Sequence, residues 1–207
     1  MNQVSTKLIS SLPKTARGRR TREKLLHAAE LEFGEKGFHE GSISGIALRS
    51  GTALGSFYTY FESKEEIFKA LVMFMSERTR RWIAERVADA PNRLSAERKG
   101  LEAYIEFVRL HKGIYRIISE AEFVANDAFR EHYSSFAKAY QENLKKAGEK
   151  GEIREGDYEA WSWAIMGMAV TVGMRYAEWN EDASVAEITN QIADLVAYGI
   201  RPQKDRS

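Results

Sequence analysis

Six basic residues fall within eleven positions near the start of the chain: Lys14, Arg17, Arg19, Arg20, Arg22 and Lys24, with only Glu23 opposing them. Guanidinium and ammonium groups at that density suit charge pairing with a polyanion, although a solvated basic tail would have the same composition. A second stretch, residues 42–61, reads SISGIALRSGTALGSFYTYF. Its hydroxyls, aromatic rings and glycines can reach phosphate oxygens and base edges through hydrogen bonds and apolar contacts.

Catalysis finds little support. The histidines His27, His39, His111 and His132 are scattered, and no HExxH, P-loop, dinucleotide fingerprint or nucleophile elbow occurs. The chain has no cysteine, which removes disulfides, thiolate metal sites and cysteine nucleophiles. No cofactor and no metal site is expected, and the protein is expected not to be an enzyme. The apolar pair Leu8 and Ile9 is too short for a secretory h-region, and no stretch approaches the roughly 20 apolar residues of a membrane span. The expected compartment is the cytoplasm, with no membrane partner.

With 43% hydrophobic and 29% charged residues, the 207-residue chain has enough apolar material to fold, as one medium domain or as a small one joined to a larger one. The net charge of +1 hides an asymmetry. Residues 1–64 carry 10 Lys/Arg against 6 Asp/Glu, and the remainder 21 against 24.

The elements that must position these residues read as helices nearly throughout. Leu25, Leu26, Ala29 and Phe33 form one stripe of a first helix over about 21–36, stopped by Gly37. Two short helices follow, about 43–50 between Ser42 and Gly51, and about 54–60. Ser63 and Glu66 form a capping box for a helix that continues through Trp82, Ile83 and Val87 to Pro91 and Asn92. Further amphipathic segments cover about 95–111, 114–124 and 127–150. Asp157 caps an apolar helix reaching about 180, and Ser184 with Glu187 caps a last helix ending near 199. Nine helices result, and no strand pattern stands out. Two short helices joined by a tight glycine turn form a helix-turn-helix, whose second helix enters the major groove.

Residues 21–67 resemble the DNA-binding domain of the TetR family of bacterial repressors. The resemblance rests on LLHAAELEFGEKGF, on the frame of Ile46, Ala47 and Gly51, and on GSFYTYFESKEEIF over 55–68. It covers about a quarter of the chain. It implies an all-α, nine-helix TetR-like fold with a basic flexible arm (1–18), a helix-turn-helix DNA-binding domain (19–66, motif 42–61) and a helical ligand-binding and dimerisation domain (67–207).

The resemblance also implies roles. Ser42 caps the first helix of the motif beside a phosphate, and Leu54, Gly55 and Ser56 lead the recognition helix. Tyr58 and Lys64 contact backbone phosphate, and Tyr60 lies beside the DNA. From the residues themselves, Thr59 falls on the side of the short helix away from Phe57 and Phe61, and Arg19 and Arg20 of the basic cluster are expected to add phosphate or minor-groove contacts. Phe57 and Phe61 pack. On the residues alone, the alternatives are that Tyr58 is partly core and Lys64 only an exposed first-turn residue. Gly55 fits close backbone approach better than a base contact. Ala53 stands where a serine often caps, so Thr52 is the expected cap. Apolar Leu54 favours a thymine methyl over a hydrogen bond.

Beyond the motif, Tyr104, Phe107, Tyr115, Phe123, Phe136, Tyr140, Trp163 and Met166 are either pocket wall or packed core. A pocket so lined favours a hydrophobic effector. Arg109, Arg116 and Arg175 either neutralise an anionic effector such as an acyl-CoA or form surface salt bridges. The segment IYRIISEAEFVANDAFREHY loosely resembles family members that respond to aromatic or fatty acyl-CoA esters. Resemblance further implies a homodimer through the last two helices (157–180 and 184–199), operator DNA of palindromic form as partner, and release by a small effector. The rival from the binding classes is an architectural DNA-binding protein blind to ligands.

Overall fold

The computed structural model describes residues 13–180 and 182–200. The expectations placed on residues 1–12, including Leu8, Ile9 and most of the arm, lie outside them. The described residues form nine α-helices and one π-helical turn, with no strand among them: α1 Ala16–Glu40, α2 Ile43–Ser50, α3 Leu54–Phe57, α4 Lys64–Val87, α5 Arg93–Leu110, α6 Ile114–Val124, α7 Asn126–Glu149, α8 Tyr158–Gly173, the π turn Met174–Glu178 and α9 Val185–Ile200.

Local capping explains most boundaries. The Gly18 N–H donates to Thr15 Oγ1 at 3.1 Å, so α1 begins five residues earlier than its apolar stripe implied. Arg17, from the end of the segment 1–18, therefore rides on the same helix as Arg19 and Arg20. Gly37, with φ 79° and ψ 173°, breaks the helical path of α1 where the glycine stop was expected. Ser63 Oγ accepts from the Glu66 N–H at 3.1 Å, and Asp157 Oδ1 from the Ala160 N–H at 3.0 Å. The helix expected to reach residue 180 is α-helical only to Gly173. It then widens, with the Trp179 N–H donating to Met174 O at 3.2 Å, an i to i−5 bond.

The chain divides into two compact units. The first is Met1–Glu77 with Lys112–His132, so α6 and the first turns of α7 belong with the helix-turn-helix. Its core holds Leu25, Leu26, Phe33, Ile46, Phe57, Ile67, Phe68 and Leu71, all fully buried. Phe33 and Phe68 meet edge-on at 5.2 Å, and Phe38 packs on both. Side chains of this size each contribute about 1.5–3 kcal/mol on burial.

The second unit is Arg78–His111 with Tyr133–Ser207. One cluster there is Leu144, Ala147, Ile153, Val196 and Ile200, flanked by Tyr140, Tyr158 and Trp161. Beside it lies a buried polar group. Glu97 accepts from Arg93 Nε at 2.6 Å and from the Tyr140 hydroxyl, and the Arg93 N–H donates to Glu152 Oε2 at 2.6 Å. Burial pushes the Glu97 carboxyl above its ordinary value, and the Arg93 guanidinium pulls against this without cancelling it.

Removing one partner of a buried ion pair leaves the other uncompensated. Glu97→Leu should therefore cost about 3 kcal/mol of unfolding free energy. Tyr140→Phe, which removes one hydroxyl, should cost about 1 kcal/mol. Urea unfolding of both variants measures this, and equal effects would rule out Glu97 as the centre of the group.

Candidate nucleic-acid interface

The helix-turn-helix forms because α2 ends early. Ser42 Oγ accepts from the Gly45 N–H at 3.0 Å to start it. Gly51, left-handed at φ 65°, ends it, and the Thr52 N–H donates back to Ala47 O at 3.1 Å. Three residues later α3 begins at Leu54. It is shorter than expected. After Phe57 the chain runs as a turn in which the Tyr60 and Phe61 N–H groups both donate to Phe57 O. Ala53 makes no side-chain cap. Thr52 does not replace it, because its hydroxyl pairs with Ser50 Oγ at 2.8 Å. Sequence neighbours compete for a hydroxyl, and here the preceding serine wins.

Phe57 and Phe61 are buried as expected, and their burial turns the rest of the segment outward. Leu54 and Tyr58 are about half exposed, while Gly55, Ser56 and Thr59 are exposed and Tyr60 is half-buried. Nothing lies within 4 Å of where a Cβ on Gly55 would stand, so packing inside the unit does not demand a glycine there. The bare backbone is open to an outside surface.

A buried carboxylate holds this arrangement. Glu32 of α1 is fully buried. It accepts from Lys36 Nζ at 2.8 Å, Arg49 Nε at 2.8 Å and the Ser42 N–H at 3.2 Å. Arg49 also donates to Glu35, forking across two acids. A Cβ on Gly45 would lie 2.2 Å from Glu32 Oε1, so a larger residue there would displace the carboxylate. Burial pushes the Glu32 pKa up, but the hydrogen bonds from Lys36, Arg49 and Ser42 outweigh it and the net shift is downward. Sequence reading passed over Glu32. Its visible signal was a carboxylate within an apolar stripe, four residues before Lys36.

Lys64 is placed differently from the phosphate contact that the resemblance implies. Its ammonium donates to Phe38 O at 2.8 Å, Gly41 O at 3.1 Å and His39 O at 3.2 Å, and it lies 4.5 Å from the Phe38 ring centre. Three donors meet three carbonyls at the end of α1. Arg22 is half-buried with its guanidinium 5.2 Å from the Phe61 ring centre, and burial lowers its pKa against the pull of Glu66 and Glu23. It is part of the packed unit. Arg19 and Arg20 are exposed, and Arg19 Nη1 donates to Lys14 O at 3.0 Å.

The expected pocket residues are divided between the two units. Tyr115 and Phe123 belong to the first unit and the others to the second. Phe123 is 86% exposed, which is not the position of a pocket wall. Phe107 is core, with its ring tilted against His111 and edge-on to Trp82. Tyr140 serves Glu97, and Phe136 lies under Arg80. Tyr104 and Met166 are half-buried, whereas Trp163 and Arg175 are exposed. Two of the arginines are occupied by backbone carbonyls. Arg109 Nη2 donates to Tyr176 O and Ala183 O, and Arg116 Nη1 to Glu35 O.

A lowered carboxylate pKa contributes stability above its unfolded-state value, and that stability is lost as pH falls through the folded-state value. For Glu32 the contribution is complete above about 4.5 and fades below it. Glu32→Gln should cost about 3 kcal/mol at pH 7 and flatten the acid side of the stability profile. Urea unfolding at neutral and acid pH checks both. A variant that loses stability in parallel with the wild type on acidification would place the acid sensitivity elsewhere.

The sequence model described as "Bacterial regulatory proteins, tetR family" matches residues 25–71. The "Uncharacterized HTH-type transcriptional regulator YdgC" of Bacillus subtilis (strain 168) is 27% identical over 197 residues, covering 91% of this chain and 96% of the relative. The "Fatty acid metabolism regulator protein" of the same organism is 24% identical over 188 residues, covering 86% and 94%. Among solved structures, the fatty acid degradation regulator FadR from Bacillus halodurans shares the fold at a TM-score of 0.75 and 20% identity, over 86% of this chain and 99% of that one. With the helix-turn-helix geometry above, residues 25–71 match the DNA-binding part of the TetR family of bacterial regulators, and the fold of the chain is similar to that of solved regulators.

Proposed function

We propose that this regulator is a cytoplasmic repressor that binds palindromic operator DNA as a homodimer and leaves it when a fatty acyl effector, an acyl-CoA, binds the helical part. The observation that carries the DNA reading is the outward face of α3 next to a cationic helix start. Arg22 against Phe61 ties the beginning of α1 to the end of the recognition segment. One turn before it, Arg17, Arg19 and Arg20 crowd the positive end of the α1 dipole with no acid in the first turn. That placement is unfavourable in isolation and becomes favourable against phosphate. Leu54, Gly55, Ser56, Tyr58, Thr59 and Tyr60 then face or flank the groove, with Ser42 at its edge.

The dimer is supported by the outer faces of the last helices. Val196 and Ile200 point inward, yet Leu195 and Tyr198 on the same helix are exposed, as are Trp163 and Trp179. A helix apolar on two sides needs two partners, and a symmetric second copy supplies the other. The acyl effector is supported by the relative and the solved structure whose names refer to fatty acid regulation.

Footprinting with genomic fragments should show protection with inverted symmetry. A long-chain acyl-CoA should abolish it where free coenzyme A does not. Protection indifferent to every acyl-CoA would favour the architectural alternative. Arg20→Ala should lower the slope of log affinity against log salt by about 0.9, whereas Lys64→Met should leave the slope alone and lower stability. Leu195→Asp should yield monomers in sedimentation, and a dimer that survived it would move the interface elsewhere.

A further inference from the structure

The break at Gly37 creates a local problem. In an unbroken α-helix the Phe38 N–H would donate to the carbonyl four residues back. With Gly37 at φ 79° the helical path is interrupted there. Phe38 is only 6% exposed, so water is a poor substitute partner. The Phe38 N–H instead donates to Glu120 Oε2 on α6, at 2.5 Å and 82 residues away in sequence. The carboxylate fits because residue 37 has no side chain: a Cβ there would lie 2.5 Å from Glu120 Oε1. On its other side the same residue, Phe38, gives its carbonyl to Lys64 of α4.

Phe38 is thus held between a carboxylate and an ammonium, both from other helices of the same unit. A second contact seats α6 in place. Gly34 of α1 and Gly113, just before α6, approach so closely that a Cβ on either would lie 3.0 Å or less from the other's Cα. Four residues after Phe38 the Ser42 N–H reaches Glu32 and α2 begins. Phe38 therefore stands in the short junction that leads from the break in α1 to the first residue of the helix-turn-helix.

We propose that Glu120 is a positioning residue for operator reading: it touches no DNA, but its bond to the Phe38 N–H sets the α1–α2 junction and through it the placement of α3. The inference rests on the DNA-binding reading above. Its consequence differs from that of a phosphate contact. Non-specific binding tolerates small shifts of register, whereas base reading does not. Losing Glu120 should lower the preference for operator over random duplex, not affinity in general.

The test uses the full chain, the duplex that the wild type enriches from a random library, and a random duplex as reference. Glu120→Leu removes the acceptor. Glu120→Gln keeps an oxygen at the same reach without the charge, and Glu120→Asp keeps the charge with one carbon less reach. The Leu and Asp variants should lose about tenfold in the operator-to-random ratio, the scale on which a buried backbone donor misses its partner. The Gln variant should stay within about threefold of wild type. Hydrogen exchange at the Phe38 amide should quicken in step with the loss. Should the Leu variant not fold, the Asp and Gln pair decides. A ratio that follows charge and not reach, or that stays at the wild-type value in all variants that fold, overturns the proposal. If the wild type itself enriches no duplex, it is the DNA-binding reading that fails.

Discussion

The first unit depends on a carboxylate that has no access to water. Glu32 is surrounded by an ammonium, a guanidinium and a backbone N–H, and these outweigh the desolvation that would otherwise neutralise it. The arrangement is directional. A hydrophobic contact would let α2 slide along α1, but a carboxylate with both oxygens engaged allows one placement. Because Ser42 both caps α2 and donates to Glu32, the start of the helix-turn-helix and its docking on α1 are set by the same residue. The short α3 has little internal structure, so its outward face inherits whatever precision this junction provides.

The same physics recurs at three other places where helical carbonyls lack a partner. Lys64 gathers the last carbonyls of α1, Arg116 takes Glu35 O, and Arg109 takes carbonyls of the π turn and of Ala183. Each charged side chain satisfies acceptors that helix termini leave open. Residues that look from sequence like surface cations, or like ligands for an anion, are engaged with the chain's own backbone. Charge density in the sequence is therefore a poor guide to charge available for DNA. Arg17 and Arg20 near the start of α1 remain outward, while Lys64 and Arg22 do not.

In the second unit a buried polar group coexists with helices whose outer faces are apolar. Glu97 ties α5 to α7 through Tyr140, and Arg93 adds the segment before α8 through Glu152. That network fixes α5 against α7 by hydrogen bonds of specific geometry. It leaves α8 and α9 free to present Trp163, Leu195 and Tyr198 outward. Stability within the unit and the surface offered outside it are thus supplied by different residues.

Much of this was legible in the residue order, for a local reason. Helix periodicity, the Ser42, Ser63 and Asp157 caps and the glycine stops at 37 and 51 act over three or four residues, and they appear in the structure where the sequence placed them. The inward turn of Phe57 and Phe61 was readable too, since large aromatic rings at that spacing have to be buried. What the sequence left open was every choice between partners distant in the chain. Nothing near Lys64 says that its ammonium will meet carbonyls 23 to 26 residues away, and nothing near Glu120 points to Phe38. The aromatic residues of the helical part carried the same ambiguity, because Phe107 in the core and Phe123 on the surface have the same local pattern. Periodicity says which residues share a face of a helix. Which faces meet, and which charges they bring together, is decided only when the helices pack.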